Sequence, residues 1–183
     1  LKKRFKKMHL LKNQIIISMP HINDVFFSKS VILICDHSSH GSMGVILNKK
    51  LNQKKSNPDP NIEVFDNEGA IFLGGPVMVD LILMLHDEKK LEESSYKISE
   101  NLFLSNNTGF NQNEIRISNK KFISGYAGWS KGQLENEIKN GDWIVQKAKN
   151  DLIFGTECEK IWNNALESLG FNYDDLSING GSA

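Results

Sequence analysis

The sequence predicts an α+β fold, and two observations carry that expectation. A succession of short apolar runs, rich in Ile, Val, Leu and Phe and bounded by Gly, Pro, Asn or Ser, has the length of strands. Two segments near the C-terminal end instead carry helical apolar spacing, each with a capping signal before it and a glycine after it. Many strands with helices gathered late in the chain is an α+β pattern, and no internal repeat is visible.

The elements follow in order. Ile15–Ile17 is an apolar run ended by Pro20, and Asp24 is placed to cap a single helical turn carrying Phe26 and Phe27. Val31, Ile32, Leu33, Ile34 and Cys35 form a continuous strand of the kind buried on both faces. The polar loop Asp36–Met43 leads into a second strand, Gly44–Leu47, and so short a connection predicts a hairpin. Residues 48–61 are polar, contain Pro58 and Pro60, and read as a loop. Ile71–Leu73 is a strand stopped by the turn Gly74, Gly75, Pro76. Leu81–Leu85 has strand length and ends at His86, and Lys89–Glu93 is charged and loop-like. Ile98–Leu104 and Ile115–Ile117 are extended segments flanking an Asn-rich loop.

Phe122–Gly125 read as the end of a strand, and GYAGWSKGQLE (125–135) follows. Ser130 stands three residues before Gln133, a capping-box spacing, and Leu134 and Ile138 share one face of the helix that Gly141 ends. Glycines on both sides of Trp129 predict backbone turns that present the indole at a fixed place. Trp143–Val145 is a further strand. Thr156 and Glu159 form a second capping box, opening a helix that sends Ile161, Trp162, Ala165, Leu166 and Leu169 toward the core before Gly170.

Composition narrows the function classes. The chain of 183 residues is long enough for one domain with a substantial core. Its 22 basic and 22 acidic residues cancel, so no electrostatic case exists for a large nucleic-acid surface. Six of the basic residues crowd the first dozen positions, which reads as a solvated, disordered arm over residues 1–7 ahead of a single domain over 8–183. Lys12, Asn13 and Gln14 interrupt any signal-peptide apolar run, and no apolar stretch reaches membrane-spanning length. Cys35 and Cys158 have no metal-ligand spacing and read as reduced, structural thiols of a cytoplasmic protein.

Each piece of candidate chemistry competes with a plainer role. Residues 128–132 spell G-x-S-x-G between a strand and a helix, as in a hydrolase nucleophile elbow, but all five histidines precede Ser130 and the downstream base is missing. Ser130 reads better as a helix cap. Asp36, His37, His40 and His86 could be drawn into a metal site, yet nothing in their spacing fixes a ligand geometry, so no metal and no cofactor is expected. Gly74, Gly75 and Pro76 lack the lysine and spacing of a phosphate-binding loop. Glu135 and Glu137 point to different helix faces and suit an ion pair and the helix N-terminus.

Several blocks together resemble the AlgH (YqgE-like) family. They are residues 19–48 (MPHINDVFFSKSVILICDHSSHGSMGVILN), FLGGPV at 72–77, LH at 85–86, GYAGWSKGQLE with Glu137 and Trp143, and W-x-x-A-L-x-x-L-G at 162–170. The resemblance runs from about Met8 to the C-terminus. It implies a mixed, strongly curved sheet forming a barrel-like core with a few helices outside, and Met8 as the natural start. Three departures stand out. Asp80–Leu83 replaces the family's Arg-Gly pair, Asn48-Lys49-Lys50 replaces its NRP, and Ser182 stands where a histidine is usual. The family's label of transcriptional regulator finds no helix-turn-helix, zinc-finger or basic stripe here, so an indirect route through a partner is the better expectation.

What remains is a shared polar surface at strand ends and loop tips. Asp36, His37, Asn48, Gly74, Gly75, Pro76, His86, Tyr126, Trp129, Gln133 and Glu135 are expected to line one groove for a small polar ligand or a peptide, without catalysis. The alternative is a small-metabolite hydrolase or transferase using Asp36, His37 or His86.

Overall fold

The computed structural model describes residues 11–51, 70–106 and 117–171. The N-terminal arm, most of the 48–61 loop, Ile115, Arg116 and Ser182 lie outside them. Nine strands form one sheet: β1 (Gln14–Ser18), β2 (Val31–Ser38), β3 (Gly41–Ile46), β4 (Ile71–Leu73), β5 (Val77–His86), β6 (Tyr96–Ser99), β7 (Leu102–Asn106), β8 (Lys120–Ser130) and β9 (Trp143–Lys147). Their order is β6-β7-β5-β8-β3-β2-β1-β9, with β4 beside β8. Every pairing is antiparallel except β4 with β8, so the sheet is mixed, as expected. Two helices, α1 (Gln133–Lys139) and α2 (Cys158–Glu167), complete the α+β architecture.

The sheet curls, and one contact measures how far. Tyr96 of β6 donates a 2.8 Å hydrogen bond to Asp36 of β2, and Lys12 donates to the same phenol at 2.9 Å while lying over its ring. Four strands separate β6 from β2 in the pairing order. In a flat sheet five strand spacings would hold them roughly 24 Å apart. Closing that distance to a hydrogen bond requires the barrel-like curvature.

Curvature gives the sheet an inside and an outside, and both are apolar. Alternate residues of β1 and β2 (Ile15, Ile17, Val31, Leu33, Cys35) face an inner core that α2 fills with Ile161, Trp162, Ala165 and Leu166. Ile16, Ile32 and Ile34 face an outer core under Leu134 of α1. A strand covered on both faces needs apolar residues at every position, which is why 31–35 reads as an unbroken run. Trp162 fixes α2 by donating its indole N–H to Ser18 O at 2.9 Å.

β8 holds the two halves of the sheet together. Its first half pairs with β5 and β4, and its second half with β3. Where β4 gives way to β3, Gly74 and Gly75 cross Gly125 and Tyr126 at backbone contact. A Cβ on Gly74 would lie 2.2 Å from Gly125 O, and one on Gly75 would lie 2.3 Å from Tyr126 C. Gly125 itself has φ 69°. The crossing leaves no room for a side chain at Gly74 or Gly75.

The expected end of a strand at Gly125 is therefore corrected. Gly125 is a kink within β8, which continues through Trp129, because β3 supplies new partners as β4 ends. Other local readings shift as well. The 36–43 loop shrinks to Ser39–His40, because Asp36–Ser38 and Gly41–Met43 pair across a tight hairpin. Lys89–Ser94 is a 3-10 turn that buries Leu91, and 98–104 divides into β6 and β7. Asp24 does cap its turn, accepting from the N–H of Phe26 and Phe27. Neither capping box closes. Gln133 reaches back to the Ser130 N–H at 3.0 Å, but the helix N-cap is Gly132. Thr156 instead donates to Asp151 O, tying down a π-helical turn (Asp151–Gly155), and Leu169 is exposed. Cys35 and Cys158 are buried and free.

Gly75→Ala is expected to cost at least about 3 kcal/mol in urea denaturation. Gly155→Ala, where an added Cβ meets nothing within 4 Å, should stay within about 0.5 kcal/mol of wild type.

Candidate functional site

α1 is fastened to the sheet by one carboxylate. Trp129 and Trp143 both donate their indole N–H to Glu137 Oε2 at 2.8 Å, and Gln133 donates its amide to Oε1 at 2.9 Å. Gln133 in turn accepts from the Ser130 N–H, so helix, strand end and both indoles form one satisfied network. The two indoles meet edge to face at 6.3 Å, with Phe27 against each. Trp129 is only 6% exposed. The indole expected as the wall of a groove is instead a core residue, because strand alternation turns it under α1. Glu137, read as a surface acid, is its hydrogen-bond acceptor.

His37 is also buried. Its Nδ1 lies 2.7 Å from Ser42 Oγ on the paired strand, and Nε2 lies 3.8 Å from Glu135 of α1. Asp36, one residue earlier, joins Tyr96 and Lys12 instead, beside a β-bulge between Ile34 and Asp36. Asn48, just past β3, fastens to the start of β2, accepting from Val31 N–H and donating to Lys29 O, both at 2.9 Å. These partners leave neither Asp36 nor Asn48 facing the His37 cluster.

His86 sits apart from all of these at 0% exposure, stacked on Phe103. Its Nδ1 accepts the Glu88 N–H at 3.2 Å, which assigns the ring proton of the neutral imidazole to Nε2. Nε2 then donates to Ser105 Oγ at 2.6 Å, Ser105 to Ser95 Oγ at 2.7 Å, and Ser95 to Leu91 O. Ser95 Oγ also lies 3.3 Å from His86 Nε2, so the two hydroxyls and the imidazole close on one another. In this tautomer His86 gives Ser105 a proton and takes none, the reverse of what an activated serine needs. Burial holds the imidazole below its ordinary 6.5, against the opposing pull of Asp87 and Glu88.

Gly74, Gly75, Pro76 and Tyr126 do come together. Val77 pairs with Tyr126, and the register then slips, so that Met78, Val79 and Asp80 bulge outward. Met78 is 59% exposed and holds φ 50°, a left-handed conformation rare for its type. The expected groove is thus divided into separate places: the α1 clamp, the Asp36–Tyr96 link, the Asn48 bridge, the buried His86 chain, and this ridge.

One feature escaped the sequence reading. A cleft of about 510 Å³ opens between β4, β8 and the start of α2, walled by Ala70, Phe72 and Phe154 and carrying Lys50, Lys121 and Cys158. Lys121 is 7% exposed, donates to Leu47 O at 3.0 Å and lies 4.4 Å over the Phe72 ring. Burial brings its amine down to about 8. The available signal was period two, since Lys121 shares a strand face with the core residue Ile123. Among the described residues no cluster of three or more His, Cys, Asp or Glu could hold a metal ion. No described helix is long and apolar enough to cross a membrane.

Comparison with known proteins agrees with this architecture. A sequence model described as AlgH-like matches residues 15–174. A "UPF0301 protein" of Chlamydia muridarum is 35% identical over 173 residues, covering 92% of this chain and 91% of the relative. A protein of the same designation from Pseudoalteromonas translucida is 32% identical, covering 96% of this chain and all of the relative. The solution structure of the AlgH protein from Pseudomonas aeruginosa superposes with TM-score 0.70 at 26% identity, covering 94% of this chain and 96% of that one. A crystal structure from Corynebacterium diphtheriae shares the fold, with TM-score 0.73 at 22% identity over 94% of this chain and 92% of that one.

Glu137→Ala should destabilise the protein by about 2–4 kcal/mol in chemical denaturation, since two buried indole N–H groups lose their acceptor. Glu135→Ala, whose carboxylate is solvated and 3.8 Å from His37, should change stability by no more than about 0.5 kcal/mol. His86 gives a pH signature. Below 6.5 the unfolded imidazole binds a proton that the buried one resists, so its contribution is full above 6.5 and declines as pH falls from there toward the lowered native value. Urea midpoints taken at pH 7.5 and 5.5 should fall less between the two for His86→Gln than for wild type.

Proposed function

We propose that this chain, which belongs to the AlgH-like family, acts by capturing a protein partner and not by catalysing a reaction. The observation that carries this reading is the ridge at Gly75–Val79. An exposed methionine held at positive φ, beside exposed Val79 and half-buried Tyr126, stands on a backbone crossing too tight to shift. Apolar surface displayed at a local cost in backbone energy is a feature of recognition sites. Tyr126 adds an aromatic body with a polar tip, a residue type favoured at interfaces.

The histidines support the same reading. A general base needs an unoccupied lone pair within reach of substrate. His86 has its acceptor nitrogen occupied by Glu88 N–H and is sealed from solvent, and His37 is packed between Ser42 and Glu135. These arrangements favour capture over the hydrolase or transferase alternative. On this reading any effect on transcription is indirect, passing through the partner. The two buried free thiols suit a reducing, cytoplasmic compartment.

Met78→Asn separates recognition from folding, because asparagine tolerates positive φ and removes the apolar side chain. A photoreactive residue at position 79 should crosslink a reproducible protein partner in wild-type cells, and Met78→Asn should lose it without loss of thermal stability. Retention of the same partner by Met78→Asn would reject the ridge. Turnover of any metabolite abolished by His37→Ala or His86→Ala, with fold intact, would restore the enzymatic alternative.

A further inference from the structure

Lys121 presents a physical problem. A buried cation is normally matched by an anion, since desolvating an unpaired charge is costly. Lys121 has one carbonyl and one aromatic face as neighbours, and no acidic partner among the described residues. The acids nearest the cleft are engaged at its rim, Glu159 facing Lys50 at 3.8 Å and Glu157 holding Lys160 at 2.8 Å. An ammonium carries three N–H donors, and the Leu47 carbonyl accepts one of them.

The rest of the cleft specifies what completes the set. Its walls at Ala70, Phe72 and Phe154 are apolar, and its volume of about 510 Å³ falls within the range of small-molecule sites. Glu157 and Glu159 offset Lys50 and Lys120 in the lining, which leaves the buried Lys121 as one uncompensated positive charge, matched by a single negative charge. We propose that this cleft binds a small monocarboxylate with an apolar or aromatic body, its carboxylate seated on the Lys121 ammonium and its body against Phe154 and Ala70. The site is separate from the Gly75–Val79 ridge and stands or falls independently of it.

Proton linkage follows from the same geometry. Lys121 faces Lys50, which disfavours its charge, and the Cys158 thiol, which burial keeps protonated; Lys120, Glu157 and Glu159 complete the titratable lining. The free amine loses its proton near pH 8, whereas the ligand carboxylate stays ionised. Affinity should be greatest below that value and decline above it, with proton uptake on binding.

Benzoate, uncharged benzamide and pyrophosphate test the assignment by NMR titration of the full chain. At pH 7 benzoate should bind saturably, shifting the amides of Phe72, Phe154 and Gly155, with benzamide and pyrophosphate at least about tenfold weaker. Raising the pH to about 9.5 should weaken benzoate by about tenfold. Lys121→Met should abolish the preference for benzoate over benzamide, and Lys139→Met, the same charge change on α1, should leave it intact. The comparison of ligands on wild type needs no variant to fold. Absence of saturable benzoate binding, equal affinity for benzamide, tighter binding of pyrophosphate, or shifts confined to another surface would each overturn the proposal.

Discussion

The backbone crossing of Gly74 and Gly75 over Gly125 and Tyr126 is the constraint on which the rest of the molecule depends. β8 must serve two half-sheets, and it can change partners from β4 to β3 only where Gly74, Gly75 and Gly125 put no side chain against the opposing backbone. A Cβ at Gly74 or Gly75 would come within 2.3 Å of the opposing backbone, so no rotamer adjustment relieves it. Because the crossing fixes β8, it also fixes what β8 carries at either end. Lys121 is set inward toward the cleft, and Trp129 is set beneath α1. The kink at Gly125 divides one long strand into two working halves.

Polar groups close the curved sheet, and most are satisfied within the protein. Glu137 satisfies two indoles and an amide, Asn48 ties the end of β3 to the start of β2, and the His86 chain ends on a backbone carbonyl. Such networks specify one arrangement, because losing a member leaves a buried group unsatisfied. Residues that resemble catalytic equipment in the sequence act here as fasteners. The ridge around Met78, exposed and strained, and Lys121, buried beside a cavity, stand outside this economy of partners.

Much of the fold was legible because its signals are local. The unbroken apolar run 31–35, the Asp24 cap, the glycines closing both helices and the Ile161–Leu166 stripe all follow from period, capping and turn chemistry. The family blocks supplied the curvature, which no local pattern encodes. The site was less legible, because side-chain destinations depend on which strands become neighbours. Nothing near Trp129 in the chain reveals that Trp143 and Glu137 will enclose it. Glycines at 125, 128 and 132 look like turn formers, yet 125 and 128 lie inside a strand, where the first admits a crossing backbone. Asp36 and His37 are adjacent in sequence and diverge because a bulge and the pleat send them to different neighbours. Lys121 carries no motif of its own, and only its alternation with Ile123 signals that it turns inward.

The connectivity also bears on how the chain emerges from a ribosome. β1 is sandwiched between β2 and β9, and the inner face of both β1 and β2 waits for α2 near the end of the described chain. A nascent chain that has completed β8 therefore still lacks α2 over the inner face of β1 and β2, and Leu134 of α1 over Ile16, Ile32 and Ile34. Long-range closure of this kind slows folding and lengthens the interval in which aggregation competes. Synthesis of this protein therefore leaves its stickiest strands waiting for α2, a vulnerability that lies in the order of the elements along the chain.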